Sequence, residues 1–300
     1  MPKNTEQDPG KIRIRNTRIL ELAAGYLRKT PRFVSGEMVD SVSACGVDRE
    51  TAYQLLVAGT WGLNPDTDPD DRILLEEDLP YVIRRLDPLQ YEREPYFRLL
   101  KGMRFREGGW VLGEDTYAPY EAFVRDDLLC LDDGRILPQL GYFEQEFPYP
   151  AVYGNGMMWM SLTPNEISTM REPAGLAHGR VLVFGLGIGY YPYLCLQNPA
   201  VRSVTVVERD ADCIRLFADH LLPVFPDRER VTLIEDDAFA FAEREFRPGA
   251  FDYVFTDLWL DVSDGLELSG RMKRMEARMP DAAYGYWIEK SLACYRTEPI

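Results

Sequence analysis

Beyond Gly179 the chain alternates short apolar runs with stretches of helical periodicity. Residues 181–184, 203–207, 231–234 and 251–256 are apolar almost without interruption. Ile214, Phe217, Ala218 and Leu221 follow the second run at helical spacing, and AFAFAEREF follows the third. Apolar runs of strand length with no alternation predict strands buried on both faces, and helices between them predict a parallel sheet of the doubly wound α/β class. Upstream the period differs. From residue 16 to about 100, Ile19, Leu20, Ala23 and Leu27, then Met38, Val39 and Val42, then Ala52, Leu55 and Leu56, and later Val82, Ile83 and Leu86 recur at helical spacing.

Between residues 105 and 159 the texture is glycine, aromatics and alternation. LLCLDDGRI predicts a strand running into an Asp-Gly turn, GMMWMSL a further strand, and Thr163-Pro164-Asn165-Glu166 the cap, first-turn proline and early acid of a helix. Residues 264–294 read as helices, with no fifth strand before the end of the sequence, so the sheet is expected to be truncated after its fourth strand. The division expected is a helical region at 1–104, a small β-rich segment at 105–170 and the α/β core at 171–300.

With 46% hydrophobic residues over 300 positions, the chain has the material for a buried core. It lacks an apolar run of membrane-spanning length and an apolar leader, which points to a cytoplasmic protein with no membrane contact. Cys45, Cys130, Cys195, Cys213 and Cys294 stand singly, with no CxxC pair, and read as reduced. The net charge of −15 repels a phosphate backbone and suits a cationic small molecule better than nucleic acid. Residues 1–32 are locally basic and read as a flexible leader entering a helix near Asn16.

Two motifs outside the core invite functional readings. SGEMVDSVSACGVDRETAYQLLVAG has the rhythm of a helix-turn-helix with Gly46 in the turn, but the second helix opens Asp48-Arg49-Glu50, and carboxylates there oppose phosphates; a plain helix pair is the expectation. Residues 66–77 place Asp66, Asp68, Asp70 and Glu77 at calcium-loop positions, but Asp71 stands where the sharp turn demands glycine and Pro69 stiffens the loop, so a solvated acidic linker is expected. No metal site is expected.

The chemistry is predicted at the ends of the four apolar runs. Gly185, Gly187 and Gly189 follow the first, where absent Cβ atoms let a turn pass against a ligand and the next helix begins with free N–H groups. Glu208 ends the second and can accept both hydroxyls of a ribose. Asp236 and Asp237 end the third, with Asp237 able to accept an adenine amine, and Asp257 ends the fourth, where a reacting group would lie. Tyr190 occupies the last glycine position of GxGxxG, which disfavours a dinucleotide.

VLVFGLGIG, VTVVERD, LIEDDAFAF and FDYVFTDLWLD resemble the four cofactor and active-site motifs of class I S-adenosylmethionine-dependent methyltransferases. They are most similar to the spermidine synthase (polyamine aminopropyltransferase) branch, in which a strand-turn like LLCLDDG and a helix bearing Glu166 also precede the core. The likeness covers roughly residues 125–262. It implies a Rossmann-like core that binds S-adenosylmethionine or its decarboxylated form, with Gly185, Gly187 and Gly189 as cofactor loop, Glu208 on the ribose, Asp236 and Asp237 at the adenine, and Asp257 catalytic beside the acceptor. The chain departs from that pattern where the family's loop acid is Ile188 and where its two aspartates three apart become Asp257 and Asp261, four apart.

The expectation is therefore a methyltransferase acting on a small acceptor, cationic amines foremost, with aminopropyl transfer as alternative and a non-catalytic nucleotide-binding module as a second class. The open fourth strand is expected to be covered by the helical segment from Leu266 to Cys294, by the β-rich stretch between Phe105 and Trp159 or by a second subunit; Tyr284, Tyr286, Trp287, Ile288 and Leu292 would supply the apolar contact of a homodimer.

Overall fold

The computed structural model describes residues 9–296. Two units are distinguished: residues 1–90 with 116–148 form one, and 91–115 with 149–300 the other. The β-rich segment expected at 105–170 is thus divided: Phe123–Cys130 and Ile136–Tyr142 pair with Ile83–Arg85 in the first unit, while its other strands form a separate four-stranded sheet.

In the first unit a helix spans Pro9–Lys29, burying Ile19, Ala23 and Tyr26 along one stripe and ending on Arg28 and Lys29, whose charges suit the negative helix end. It starts well before Asn16; residues 1–8, the rest of the expected leader, lie outside the described residues. The helix pair follows as Gly36–Ser43 and Arg49–Thr60, with Gly46 at φ +99° in the turn. Asp48 caps the second helix by accepting from the Glu50 and Thr51 N–H groups, so the acid that opens it has a structural task.

These helices accompany a three-stranded sheet in the order Ile83–Arg85, Ile136–Tyr142, Phe123–Cys130, with Gly134 at φ +87° in the Asp-Gly turn. Tyr53 and Tyr142 stack at 3.6 Å in its core. The acidic run at 66–77 is mostly helical. Asp68 caps Pro69–Ile73, and Asp71 turns inward to Arg18 and to the Asn64 N–H. The Asp68 and Asp71 carboxylates are thereby committed separately.

The second unit holds the expected sheet. Its strands are β1 (Gly179–Phe184), β2 (Val201–Glu208), β3 (Val231–Glu235), β4 (Tyr253–Thr256) and β5 (Ala283–Tyr286), all parallel, in the order β3-β2-β1-β4-β5. This is a Rossmann-like arrangement whose strand order reverses at β1, which opens a crevice at the carboxyl ends of β1 and β4. Its helices include α1 (Pro164–Leu176), α2 (Tyr190–Gln197), α3 (Ala211–Leu216), α4 (Ala238–Glu245), α5 (Val262–Met275) and α6 (Glu289–Tyr295).

The strand β5 corrects two expectations. Residues 264–294 are not helical throughout, and the sheet does not stop at its fourth strand: Ala283 to Tyr286 pair in register with Tyr253 to Thr256. The strand has four residues, one of them glycine, and sits between two helices, so it has too little length for a period to emerge. Tyr286, Trp287 and Leu292, assigned above to an intermolecular contact, are buried within this unit. A second sheet has the order Phe105–Glu107, Trp110–Tyr117, Phe147–Gly154, Met157–Ser161; the last two form a hairpin turned by Asn155 and Gly156, both with positive φ. Among the described residues no helix is long and apolar enough to cross a membrane.

Candidate functional site

The turn after β1 is built by close approach. At Gly185, with φ +92°, a Cβ atom would stand 2.0 Å from the Asp257 carbonyl oxygen, so only glycine lets the β1 turn lie against the end of β4. At Gly187 a Cβ would meet the Met160 sulfur at 2.0 Å, and at Gly189, which begins α2, the Phe217 ring at 2.2 Å. The first two glycines therefore face the crevice, and the third serves helix packing. Ile188 is fully buried, which explains an apolar residue in the loop. The Ile188 N–H donates to Met160 Sδ at 3.0 Å, and its carbonyl accepts from the Tyr96 hydroxyl at 2.6 Å.

Glu208 at the end of β2 is tied to both neighbouring turns. One carboxylate oxygen accepts from Leu186 N at 3.2 Å in the glycine loop, and the other accepts from Arg209 N and Asp210 N at 2.8 and 3.0 Å. A carboxylate offers about four acceptor sites, so it retains capacity for a ligand hydroxyl. Asp237 caps α4 by accepting from Phe239 N and Ala240 N. Asp236 accepts from its neighbour's N–H and pairs with Arg244 at 2.7 Å, which holds its carboxyl below the usual range. These acids border a cavity of about 280 Å³, with Phe239, Leu258 and Leu268 as apolar wall. A planar base beside a diol would find there both an apolar surface and carboxylate acceptors.

A second cavity of about 300 Å³ adjoins it. Gly185, Asp257, Leu258 and Trp159 line both. Its remaining wall includes Trp259, Trp287 and Met160, and it holds two carboxyls, Asp257 and Glu166. Lys, Arg and His do not occur among its lining residues. Trp287 is fixed by an indole N–H donating to Thr169 Oγ1 at 3.0 Å. Burial pushes the Asp257 carboxyl up to about 8, and pushes Glu166 well above the carboxylate range, where the Asp257 charge adds to the effect.

Asp261, whose spacing from Asp257 departs from the family pattern, is not among the residues of this cavity. Asp261 caps α5, accepting from Ser263 N and Oγ at 2.6 Å, while Asp264 accepts from Asp261 N in return. Glu166 occupies the cavity in its stead, from the first turn of α1. Sequence alone marked Glu166 as a helix-start acid; its assignment to the same cavity as Asp257 comes from the fold. The tryptophans and Met160 carried no sequence motif.

No family model matches the chain, and no curated protein matches it. Among solved structures it is similar to spermidine synthase from Thermotoga maritima, at 16% identity and TM-score 0.35 over 46% of this chain and 48% of that one. It is similar to a conserved hypothetical protein of Streptococcus pyogenes at 18% identity and TM-score 0.28, over 34% and 60% of the two chains. A third likeness is to precorrin 8w decarboxylase from Methanobacterium thermoautotrophicum, at 18% identity and TM-score 0.29 over 42% and 62%. The chain thus spans about half the length of the first of these. At such overlap the function rests on the geometry of the site and not on the likenesses.

Proposed function

We propose that this chain is a group transferase that uses an S-adenosylmethionine-type donor and a small cationic amine acceptor. The observation that carries the reading is the placement of Asp257 between two adjoining cavities, one bordered by Glu208, Asp236 and Asp237, the other by aromatic rings and Glu166. The residues fit the donor: Glu208 has acceptor capacity for the ribose, Asp237 lies beside the apolar wall of Phe239, and Gly185 leaves the passage clear. When bound, such a donor supplies an electrophilic carbon next to its sulfonium.

Asp257 would hold the acceptor amine and take up its proton, which its raised affinity for protons favours near neutral pH. Trp159 and Leu258, common to both cavities, would exclude water from the line between amine and donor. Methyl transfer is the general form of this reading. Aminopropyl transfer from decarboxylated S-adenosylmethionine is the second form, and a specific contact favours it. The Ile188 N–H already donates to Met160, so one N–H of the glycine loop is not free for a donor's carboxylate.

Calorimetric titration with S-adenosylmethionine, its decarboxylated form and 5′-methylthioadenosine tests the proposal. Binding of at least one is expected, and Glu208→Ala is expected to weaken it more than about tenfold, the loss of charge-assisted bonds to a hydroxyl. An affinity within twofold of wild type in that variant removes Glu208 from the site. Binding without turnover of any amine would leave a nucleotide-binding module.

A further inference from the structure

We propose that Glu166 is the second carboxyl of the acceptor site, holding the ammonium group of the amine jointly with Asp257. This rests on the transferase reading and adds a residue to it. Glu166 Oε2 is buried without a hydrogen-bond partner, an arrangement that native proteins avoid unless something else completes it. The cavity into which Glu166 and Asp257 both fall has no basic lining residue. Two carboxyls in such a place either keep their protons or receive a cation from outside.

The surroundings favour a cation. Trp259 and Trp287 stand in the same wall, and indole faces attract an ammonium group once it is stripped of water. The Trp287 ring is held by its bond to Thr169, a residue of α1 like Glu166, so helix and aromatic wall are fixed together. Glu166 lies in the first turn of α1, where the helix end tolerates negative charge. Asp261, the other acid of the loop after β4, is spent on capping α5, so the second charge has to come from another element.

A linkage follows. Burial keeps protons on this pair near neutral pH, the Asp257 charge adding to the effect at Glu166, and an entering ammonium group reverses the preference. Amine binding must therefore expel protons from the protein.

The test is titration with α,ω-diaminoalkanes of three to five carbons, and with the diols of equal length as neutral probes, in two buffers of different ionisation enthalpy at pH 7. Wild type is expected to release protons as the diamine binds. Glu166→Gln is expected to bind the diamine at least tenfold more weakly, with diol affinity unchanged. Glu166→Asp should restore part of the affinity, which a merely structural role would not produce.

Diamine affinity within twofold of wild type in Glu166→Gln overturns the proposal. If that variant does not fold, the absence of proton release in wild type overturns it as well. Titration of wild type with 5′-methylthioadenosine runs in parallel. Failure there strikes the transferase reading, whereas intact nucleoside binding with proton-independent diamine binding strikes only the role of Glu166.

Discussion

The Met160 thioether accepts from the Ile188 backbone N–H at 3.0 Å, so a hairpin residue occupies one of the donors that the glycine loop would otherwise present to the crevice. Removing that sulfur frees both the N–H and the space over Gly187. Met160→Ala is expected to raise affinity for S-adenosylmethionine relative to its decarboxylated form by roughly tenfold, the scale of one hydrogen bond to a charged group. Competition between the two ligands measured by calorimetry checks it; an unchanged ratio would remove Met160 from donor selection.

Asp257 and Glu166 hold protons more tightly in the folded chain than in the unfolded one. The folded state then binds more protons between the ordinary carboxylate range and about pH 8, and stability falls as pH rises through that window. Each such group contributes at most ~1.4 kcal/mol per pH unit. Asp257→Asn is expected to flatten the decline. Urea unfolding at pH 5 and pH 8 measures it, and an equal decline in variant and wild type would contradict the assignment.

Gly185→Ala should be among the most damaging single-methyl additions in the chain. The position combines φ +92° with a Cβ site 2.0 Å from the Asp257 carbonyl oxygen, so backbone strain and overlap with main chain both apply. A loss of at least ~2 kcal/mol is expected. Gly249 has φ +76° but open space around it, so Gly249→Ala isolates the backbone cost. Thermal melts of the two variants that matched would show that the close approach is relieved at no cost.

Asp261 and Asp257 are separated by one experiment. Asp261→Ala removes the acceptor for Ser263 N and Oγ at the start of α5 and is expected to cost ~1 kcal/mol, as lost helix caps do. Diamine affinity should stay within twofold of wild type. A tenfold loss of affinity would instead show that Asp261 reaches the amine.

The first four strands were legible in sequence because each lies in a run like Val181 to Phe184, apolar with little interruption. Gly185, Glu208 and Asp257 stood out as candidates because each follows directly on such a run, and Gly187, Gly189 and Asp237 because they fall within the next few positions. Strand β5 escaped because Ala-Tyr-Gly-Tyr has no β-branched residue and includes a glycine, whereas β4, of equal length, carries Val254 and Thr256 in a longer apolar run. Glu166 and Asp257 are 91 positions apart, and no local pattern could bring them to one cavity. The roles of Asp48 and Asp261 as caps were hidden for another reason: the same aspartate serves a helix end or a ligand, and only its hydrogen bonds distinguish the two.

Because Trp159, Leu258, Gly185 and Asp257 belong to both cavities, neither ligand can bind without touching the walls of the other's place. Any adjustment of the Trp159 ring made for a nucleoside is felt by the amine, and thermodynamic reciprocity requires the amine to alter nucleoside affinity by the same factor. On the proposed reading, the shared partition makes the coupling between nucleoside and amine a property of one indole ring and the hairpin that carries it.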